Sequence, residues 1–181
     1  MKIRFAAALV AIALSAGTAA AQRRATVPVE TTPTAYELGI DATADIGLGG
    51  ESFTDINIPS GSIRMGFPMN PNISIEPKAR ISISSGGGDT FTAYRVEVGA
   101  LYHLDATKLQ REGLYVRPTI GVSGFSGSGS QNNFFAGFGV GYKKPILSQL
   151  GTRFEAAYLR NFNNGGSNEL ELSAGLSWFT H

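Results

Sequence analysis

From residue 36 onward, apolar and polar residues alternate through eight successive segments of the chain. The first segment shows the pattern most clearly: one set of alternate positions holds Tyr36, Leu38, Ile40, Ala42, Ala44, Ile46 and Leu48, and the other holds Glu37, Gly39, Asp41, Thr43, Asp45 and Gly47. Successive side chains of a β-strand point to opposite sides, so a period of two separates these sets completely. A helix would scatter the three carboxylates among the aliphatic side chains. The pattern therefore predicts a strand with one apolar and one polar face.

Seven further segments repeat this alternation. Their predicted cores are residues 63–67, 73–83, 94–104, 114–122, 134–143, 153–158 and 169–178. Turn signals rich in Gly, Ser and Asn separate several of them, such as residues 126–129 and 163–166. Pro77 and Pro118 fall on the apolar face, and each removes one backbone donor, so we expect β-bulges there. The chain is thus predicted to be all-β, with no room for a second domain.

The first 21 residues have the features of a secretory signal. Lys2 and Arg4 give a positive start, residues 5–14 form an apolar run, and three alanines ending at Ala21 supply the small residues of a cleavage site. A membrane-spanning helix needs about 20 apolar residues, and this run is shorter. We therefore expect cleavage near Ala21 rather than a retained membrane anchor.

Residues 22–35 lack periodicity and contain two prolines, which predicts a flexible leader into a barrel domain at residues 36–179. The formal net charge of the whole chain is +1, and loss of the signal removes two bases and no acids, leaving a value near −1. Near-neutrality argues against a nucleic-acid partner. The chain contains no cysteine, so no function can rest on a thiol or a disulfide.

The polar face carries a balanced set of eight acids and seven bases. The acids are Glu37, Asp41, Asp45, Glu76, Glu97, Glu155, Glu169 and Glu171, and the bases are Arg64, Lys78, Arg80, Arg95, Arg117, Lys143 and Arg153. A balance of this kind suits an enclosed space, where an unpaired charge is costly and each charged group needs a partner. We predict an interior ion-pair network with a structural role.

Glycines and aromatic residues favour a lipid-facing exterior over a soluble barrel, whose apolar face would point inward. Glycine recurs on the polar face at positions 39, 47, 66, 99, 121, 137, 139, 141 and 175 and would make room for long side chains in a narrow barrel. Aromatic residues lie near both ends of the apolar face: Tyr36, Phe67, Tyr102, Tyr142 and Trp178 at one rim, and Tyr94, Phe134 and Tyr158 toward the other. Two such girdles match the two interfaces of a bilayer.

With these features the chain resembles the small eight-stranded outer-membrane barrels of Gram-negative bacteria, the OmpA/OmpX type. The resemblance covers residues 36–179 and includes a last alternating strand that ends on Trp178 and Phe179, similar to the segment that the insertion machinery reads in that family. Thr180 and His181 follow, whereas family members usually end on the aromatic residue. The resemblance implies an eight-stranded antiparallel up-and-down transmembrane β-barrel with a polar, ion-paired interior.

The resemblance also implies where the molecule lies and what it contacts. It places the protein in the outer membrane as a monomer, in contact with outer-membrane lipid and, during assembly, with the barrel insertion machinery. Both chain ends would face the periplasm. The external connections would then be residues 49–60, 84–91, 125–132 and 161–168, and the periplasmic connections 68–71, 105–113 and 144–149.

Side chains capable of chemistry are few. Asp41 with Asp45, and Glu169 with Glu171, are carboxylate pairs on one strand face and could bind a cation, but the bases on the same face favour salt bridges. His103 lies on the polar face, and its neighbours lack the serine of the His-x-Ser arrangement of lipid A deacylases. We predict no catalytic residue, no metal site and no cofactor.

The sequence leaves three functions open. We favour a non-enzymatic role in envelope integrity or surface contact with at most a narrow solute path, because a general porin needs about 16 strands to leave a channel. The second is an enzyme acting on outer-membrane lipid. Its candidate residues would be Arg95, Glu97, Glu155, Arg160 and Glu169. The third is a soluble periplasmic barrel that holds an apolar ligand in an apolar interior.

Overall fold

The structure is a computed structural model that describes residues 36–48, 54–55, 61–86, 89–105, 110–126, 131–162 and 166–180. The predicted signal peptide, its cleavage site and the leader lie outside the described residues. Among the described residues, no helix is long and apolar enough to cross a membrane.

Nine β-strands form the described part of the chain. They are β1 (Glu37–Leu48), β2 (Thr54–Asp55), β3 (Ser62–Asn70), β4 (Ile73–Gly86), β5 (Asp89–His103), β6 (Gly113–Ser126), β7 (Gln131–Pro145), β8 (Leu150–Asn161) and β9 (Asn168–Phe179). Each of the eight predicted strands is present. Most are longer than the alternating pattern alone indicated, because pairing continues beyond the last clearly apolar residue, as far as Gly86 opposite Asp89 in the β4–β5 hairpin.

Eight of these strands close into a barrel. Neighbours in sequence pair antiparallel from β3 through β9, and β1 pairs with both β3 and β9. The closing pairing runs the whole length of β1, from Glu37 opposite Phe179 to Leu48 opposite Asn168. The predicted eight-stranded antiparallel up-and-down barrel is confirmed.

The two-residue strand β2 lies along the β1 edge that β3 also uses. β3 pairs with β1 between Glu37 and Asp41, and β2 pairs with Asp45 and Ile46. β2 therefore extends the pairing along this edge of β1 and is not a ninth strand of the barrel wall. We call the end at which β1 begins and β9 finishes the terminal rim, and the opposite end the hairpin rim.

Pro77 and Pro118 do not produce bulges, contrary to the prediction. Pro77 pairs in regular register with Val98, and Pro118 with Phe138. On the opposite edge of each strand, backbone pairing is interrupted beside the proline. The register is the same before and after that interruption. Each proline therefore costs a local backbone bond without shifting the strand. The register shift in β3 and β4 lies instead between Pro68 and Asn70, next to the tight connection.

The apolar face of the strands is the outer surface. Ile63, Ile81 and Ile120 expose 61%, 64% and 57% of their area, values that no packed core would show. The predicted rim aromatics are also outside, with Tyr36 meeting Phe67 edge-on at a centroid distance of 6.0 Å and Trp178 exposed on the same rim. A soluble barrel with an apolar interior has the opposite arrangement, so the structure excludes that orientation of the faces.

Candidate functional site: the charged interior

All fifteen predicted charged residues lie on the inner face of the barrel. Twelve are buried, and the other three, Arg80, Arg95 and Glu169, are half-buried toward the hairpin rim. Their strands place them there because the inward side chain recurs at every second residue and the outward positions are apolar. Each of the fifteen takes part in at least one ion pair.

At the terminal rim the network is built around Arg64. Its guanidinium forms ion pairs with Glu37 and with Asp41, whose two carboxylate oxygens share the single Nε–H donor at 2.9 and 3.1 Å. Lys143 of β7 forms an ion pair with the same Glu37. Ser177 donates to Glu37 at 2.7 Å, so carboxylates that leave water gain fixed donors in exchange.

The middle of the barrel holds an alternating row of acids and bases. Arg153 lies between Glu76 and Glu155, each 2.5 Å from a different guanidinium nitrogen. Arg117 follows, with Nη2 at 2.9 Å from Glu155 and 2.8 Å from Glu97. Opposite charges at these distances offset the cost of removing each group from water.

Toward the hairpin rim the row continues through Lys78, Glu171 and Arg95. Lys78 Nζ lies 2.6 Å from Glu171, and Arg95 lies 2.9 Å from Glu171 and 2.8 Å from Glu169. Contacts of 3.7 Å between Arg64 and Glu76 and of 3.6 Å between Lys78 and Glu97 connect the three parts. One continuous chain of ion pairs thus crosses the lumen from one rim to the other.

Tyr115 is the neutral member that orders the middle of this row. Its hydroxyl donates to Glu155 at 2.6 Å and accepts from Arg153 Nε at 2.5 Å. The Arg153 guanidinium lies 4.8 Å from the ring centroid. The cross-strand partner of Tyr115 is Gly141, where a Cβ would overlap the phenol ring. The sequence placed Tyr115 on the polar face, but its alternating apolar neighbours gave no signal of this bridging role.

Inward glycines make room for charged side chains, as the sequence indicated. A Cβ at Gly39 would meet the Arg64 guanidinium, and one at Gly99 would lie 2.8 Å from Cγ of Arg117. The largest side chains of the interior therefore lie against residues that have none. This complementarity lets a narrow barrel contain two arginines that the structure buries almost completely.

An apolar cluster inside the barrel was not predicted. Phe135, Ala157 and Leu159 are fully buried and pack together in the hairpin-end half of the lumen. Arg95 covers the ring of Phe135 at 5.3 Å. The sequence did contain a signal for this cluster. Each of these residues lies an even number of positions from an inward charged residue of its own strand, so its side chain points inward as well. The interior is therefore ion-paired along most of its length and apolar on one side near the hairpin rim.

Near the terminal rim, His103 lies on the inner face as predicted. It is buried, and its Nε2 lies 3.2 Å from Ser74 Oγ. Gln110 is also buried and donates to the carbonyl oxygens of Asn70 and Ile73. Ser74 and His103 are 4% and 2% exposed, so a substrate outside the barrel does not reach this pair.

The paired carboxylates meet bases. Asp45, Glu169 and Glu171 bring carboxylate oxygens within 4.8 Å of one another near the hairpin rim. Arg80 lies 2.9 Å from Asp45, and Arg95 contacts all three acids. The guanidinium groups therefore occupy the positions that a cation would need, and the arrangement is an ion-pair cluster. Asp41 is separated from this cluster and pairs with Arg64.

The residues considered for lipid chemistry do not converge. Glu97 and Glu155 are buried in the middle of the lumen, and Arg95 and Glu169 pair with each other on the inner face. Arg160 lies on the outer face, where its guanidinium donates to Asn168. A lipid headgroup outside the barrel could reach Arg160 alone of these five.

Comparison with known proteins supports the fold. No protein-family model matches the sequence, and no curated protein matches it. The crystal structure of neisserial surface protein A matches with a TM-score of 0.56 at 16% sequence identity, over 80% of this chain and 97% of that chain.

Two other solved structures are similar at lower scores. The attachment invasion locus protein Ail of Yersinia pestis matches at 13% identity and a TM-score of 0.49, over 81% of this chain and 100% of that chain. The N-terminal β-barrel domain of Pseudomonas aeruginosa OprF matches at 12% identity and 0.48, over 78% and 97%. At 16% identity the likeness to the neisserial protein establishes the fold alone, which is a small eight-stranded antiparallel β-barrel.

Proposed function

We propose that this protein is a non-enzymatic integral barrel of the Gram-negative outer membrane, with a structural or surface-contact role. The observation that carries the proposal is the division of the two faces. Large apolar side chains such as Ile40 and Phe154 are exposed around the outside, whereas the fifteen charged groups of the interior network point inward and are paired. Apolar side chains on the outside and charged side chains on the inside are favourable when the surrounding solvent is hydrocarbon. A closed barrel also satisfies every backbone group internally, as a membrane-spanning structure must.

The filled lumen supports a role that does not depend on bulk transport. Arg64, Arg117 and Lys143 are among the largest fully buried side chains, and each contributes to the chain of ion pairs across the barrel. A general porin needs about 16 strands to leave an aqueous channel. A narrow solute path is the most that eight strands with this interior permit.

An enzymatic role has less support. Catalysis on lipid requires a polar cluster within reach of the outer surface, with a nucleophile or base and a group that orients it. Among the described residues, Glu97 and Glu155 are enclosed, and Arg160 has no acidic partner on the outer face. We therefore favour surface contact and envelope integrity over lipid modification.

The test is refolding of the mature chain into detergent and into lipid vesicles. A closed membrane barrel resists SDS until it is heated, so the unboiled sample should migrate faster than the boiled one. Conductance in a planar bilayer should then be far below that of a 16-stranded porin. A chain that stays soluble without detergent and shows no heat-dependent mobility would refute the membrane assignment. Turnover of lipid A or phospholipid by the folded barrel would refute the non-enzymatic role.

A further inference from the structure

Arg160 is a charged residue on the side of the barrel where charge is most costly. Among the described outward positions of the eight barrel strands, the charged side chains are Arg160 near the hairpin rim and Lys144 near the terminal rim. Both are exposed. An ionisable residue on a lipid-facing surface is expensive unless it reaches the interface or a ligand.

Arg160 has no counter-ion among the described residues. Its Nη1 donates to the neutral amide oxygen of Asn168 at 2.8 Å, the residue opposite it on β9. The next acid along that strand, Glu169, points into the lumen and is held by Arg95. A guanidinium has five N–H donors, so this hydrogen bond to Asn168 leaves most of its donor capacity for a ligand.

The guanidinium of Arg160 is also positioned by its surroundings. A Cβ at Gly166 would lie 2.8 Å from Nη2 and 3.2 Å from Cζ, so the group rests against a backbone that only glycine leaves open. Gly166 has a φ of +71°, a conformation that suits glycine. On β7, the cross-strand partner of Arg160 is the small residue Ala136. The charge is therefore fixed against the rim of the barrel.

Exposed aromatic side chains lie near Arg160 in the strand register, as is typical of a bilayer interface. Phe134 and Phe162 stack at a centroid distance of 5.7 Å, and each is about half exposed. Tyr158 lies two residues before Arg160 on the same outward face and is also exposed. Such rings lie at the depth of lipid headgroups, so the guanidinium is placed where headgroup phosphates would be found.

We propose that Arg160 binds the phosphate of a membrane lipid headgroup at the hairpin rim. Arginine matches the geometry of phosphate oxygens through two parallel N–H donors, and its charge complements theirs. The headgroup would supply the counter-ion that the described chain lacks, and the acyl chains would continue along the apolar exterior. This inference rests on the membrane location proposed above.

The experiment measures lipid retention by native mass spectrometry. The mature protein is refolded in dodecyl maltoside and titrated with dimyristoyl phosphatidic acid or with dimyristoyl phosphatidylcholine, which share acyl chains and differ in the headgroup. The wild type should retain phosphatidic acid in preference to phosphatidylcholine. Arg160→Gln should weaken retention of phosphatidic acid about tenfold, equivalent to about 1.4 kcal/mol.

Lys144→Gln is the matched control, because it removes an exposed outward charge at the other rim and should leave retention unchanged. Arg160→Lys should give an intermediate affinity, since it keeps the charge and loses the paired donors. The proposal is overturned if Arg160→Gln retains phosphatidic acid like the wild type, or if the wild type prefers neither lipid. Competition by inorganic phosphate at the same concentration would identify a site for free phosphate instead and would also overturn it.

The heat-dependent shift in SDS mobility separates the two proposals. If every variant shows the shift and none prefers phosphatidic acid, the barrel is a membrane protein and only the lipid site is wrong. If the wild type shows no shift and needs no detergent, the membrane assignment itself fails, and the lipid inference fails with it.

Discussion

The phenol ring of Tyr115 occupies the space that a Cβ at Gly141, its partner on the neighbouring strand, would take. The ring carries the hydroxyl that joins Glu155 to Arg153. The ion-pair row in the middle of the barrel therefore depends on the absence of a side chain one strand away.

Gly141→Ala is expected to destabilise the barrel. The new methyl group would push Tyr115 out of its hydrogen bonds, and overpacking of this kind costs about 1–3 kcal/mol. The free energy of unfolding in urea, measured in lipid vesicles, gives the loss. Gly61→Ala is the control, because a Cβ there meets nothing within 4 Å and the residue is exposed. Equal stability of the two variants would show that the ring does not need this space.

Arg117→Met should lower the free energy of unfolding by about 3–5 kcal/mol, because Glu155 would lose one of its two guanidinium partners and Glu97 would keep only the 3.6 Å contact with Lys78. A double-mutant cycle with Glu155→Leu measures the coupling between the two residues. We expect the double variant to lose less stability than the sum of the single variants. In the double variant neither the carboxylate nor the guanidinium of this pair is left without its partner. Additive losses would mean that the ion pair contributes nothing specific.

A charge introduced on the outside should be costly in lipid. Ile120 lies near the middle of β6, points outward and is 57% exposed, so Ile120→Arg should reduce stability by about 2–4 kcal/mol in vesicles. Ile120→Val is the control, because it removes one methylene and keeps an apolar, β-branched side chain, and it should be nearly neutral. In a water-soluble barrel, an arginine at so exposed a site would be tolerated, so an unchanged free energy would contradict the membrane exterior.

Ionic strength should have little effect on the central ion pairs. Arg64, Glu76 and Arg153 are almost completely buried, and mobile ions screen buried pairs much less than exposed ones. The free energy of unfolding at 0.05 M and 1 M sodium chloride should therefore change little compared with the loss in Arg117→Met. A large fall at high salt would indicate that water and ions enter the lumen freely.

The alternating pattern was sufficient to predict the strands and their faces. Leu38 and Asp41 could be assigned to opposite sides before any pairing was known, because a strand has only two sides. The assignment of the apolar side to the exterior needed the charges as well, since balanced acids and bases indicated an enclosed polar space. Those inferences used properties that are local in sequence.

The register at the prolines and the apolar cluster could not be predicted from the local sequence. Whether Pro77 causes a bulge depends on what the partner strand can tolerate, and here the register continues past it. Phe135 and Leu159 are distant in sequence and meet only because β7 and β8 pair in one register. No pattern within either strand indicates that contact.

The sequence by itself determined the eight strands of the barrel, their two faces and the set of charged residues that must share one side, because these follow from eight segments with a period of two. The tertiary structure decided which acid meets which base, which glycine faces which large side chain, and that Arg160 has no counter-ion in the part of the chain that the structure describes. Partners such as Lys143 and Glu37 lie far apart along the chain. Their distance is set by barrel closure and strand register, which depend on every strand at once.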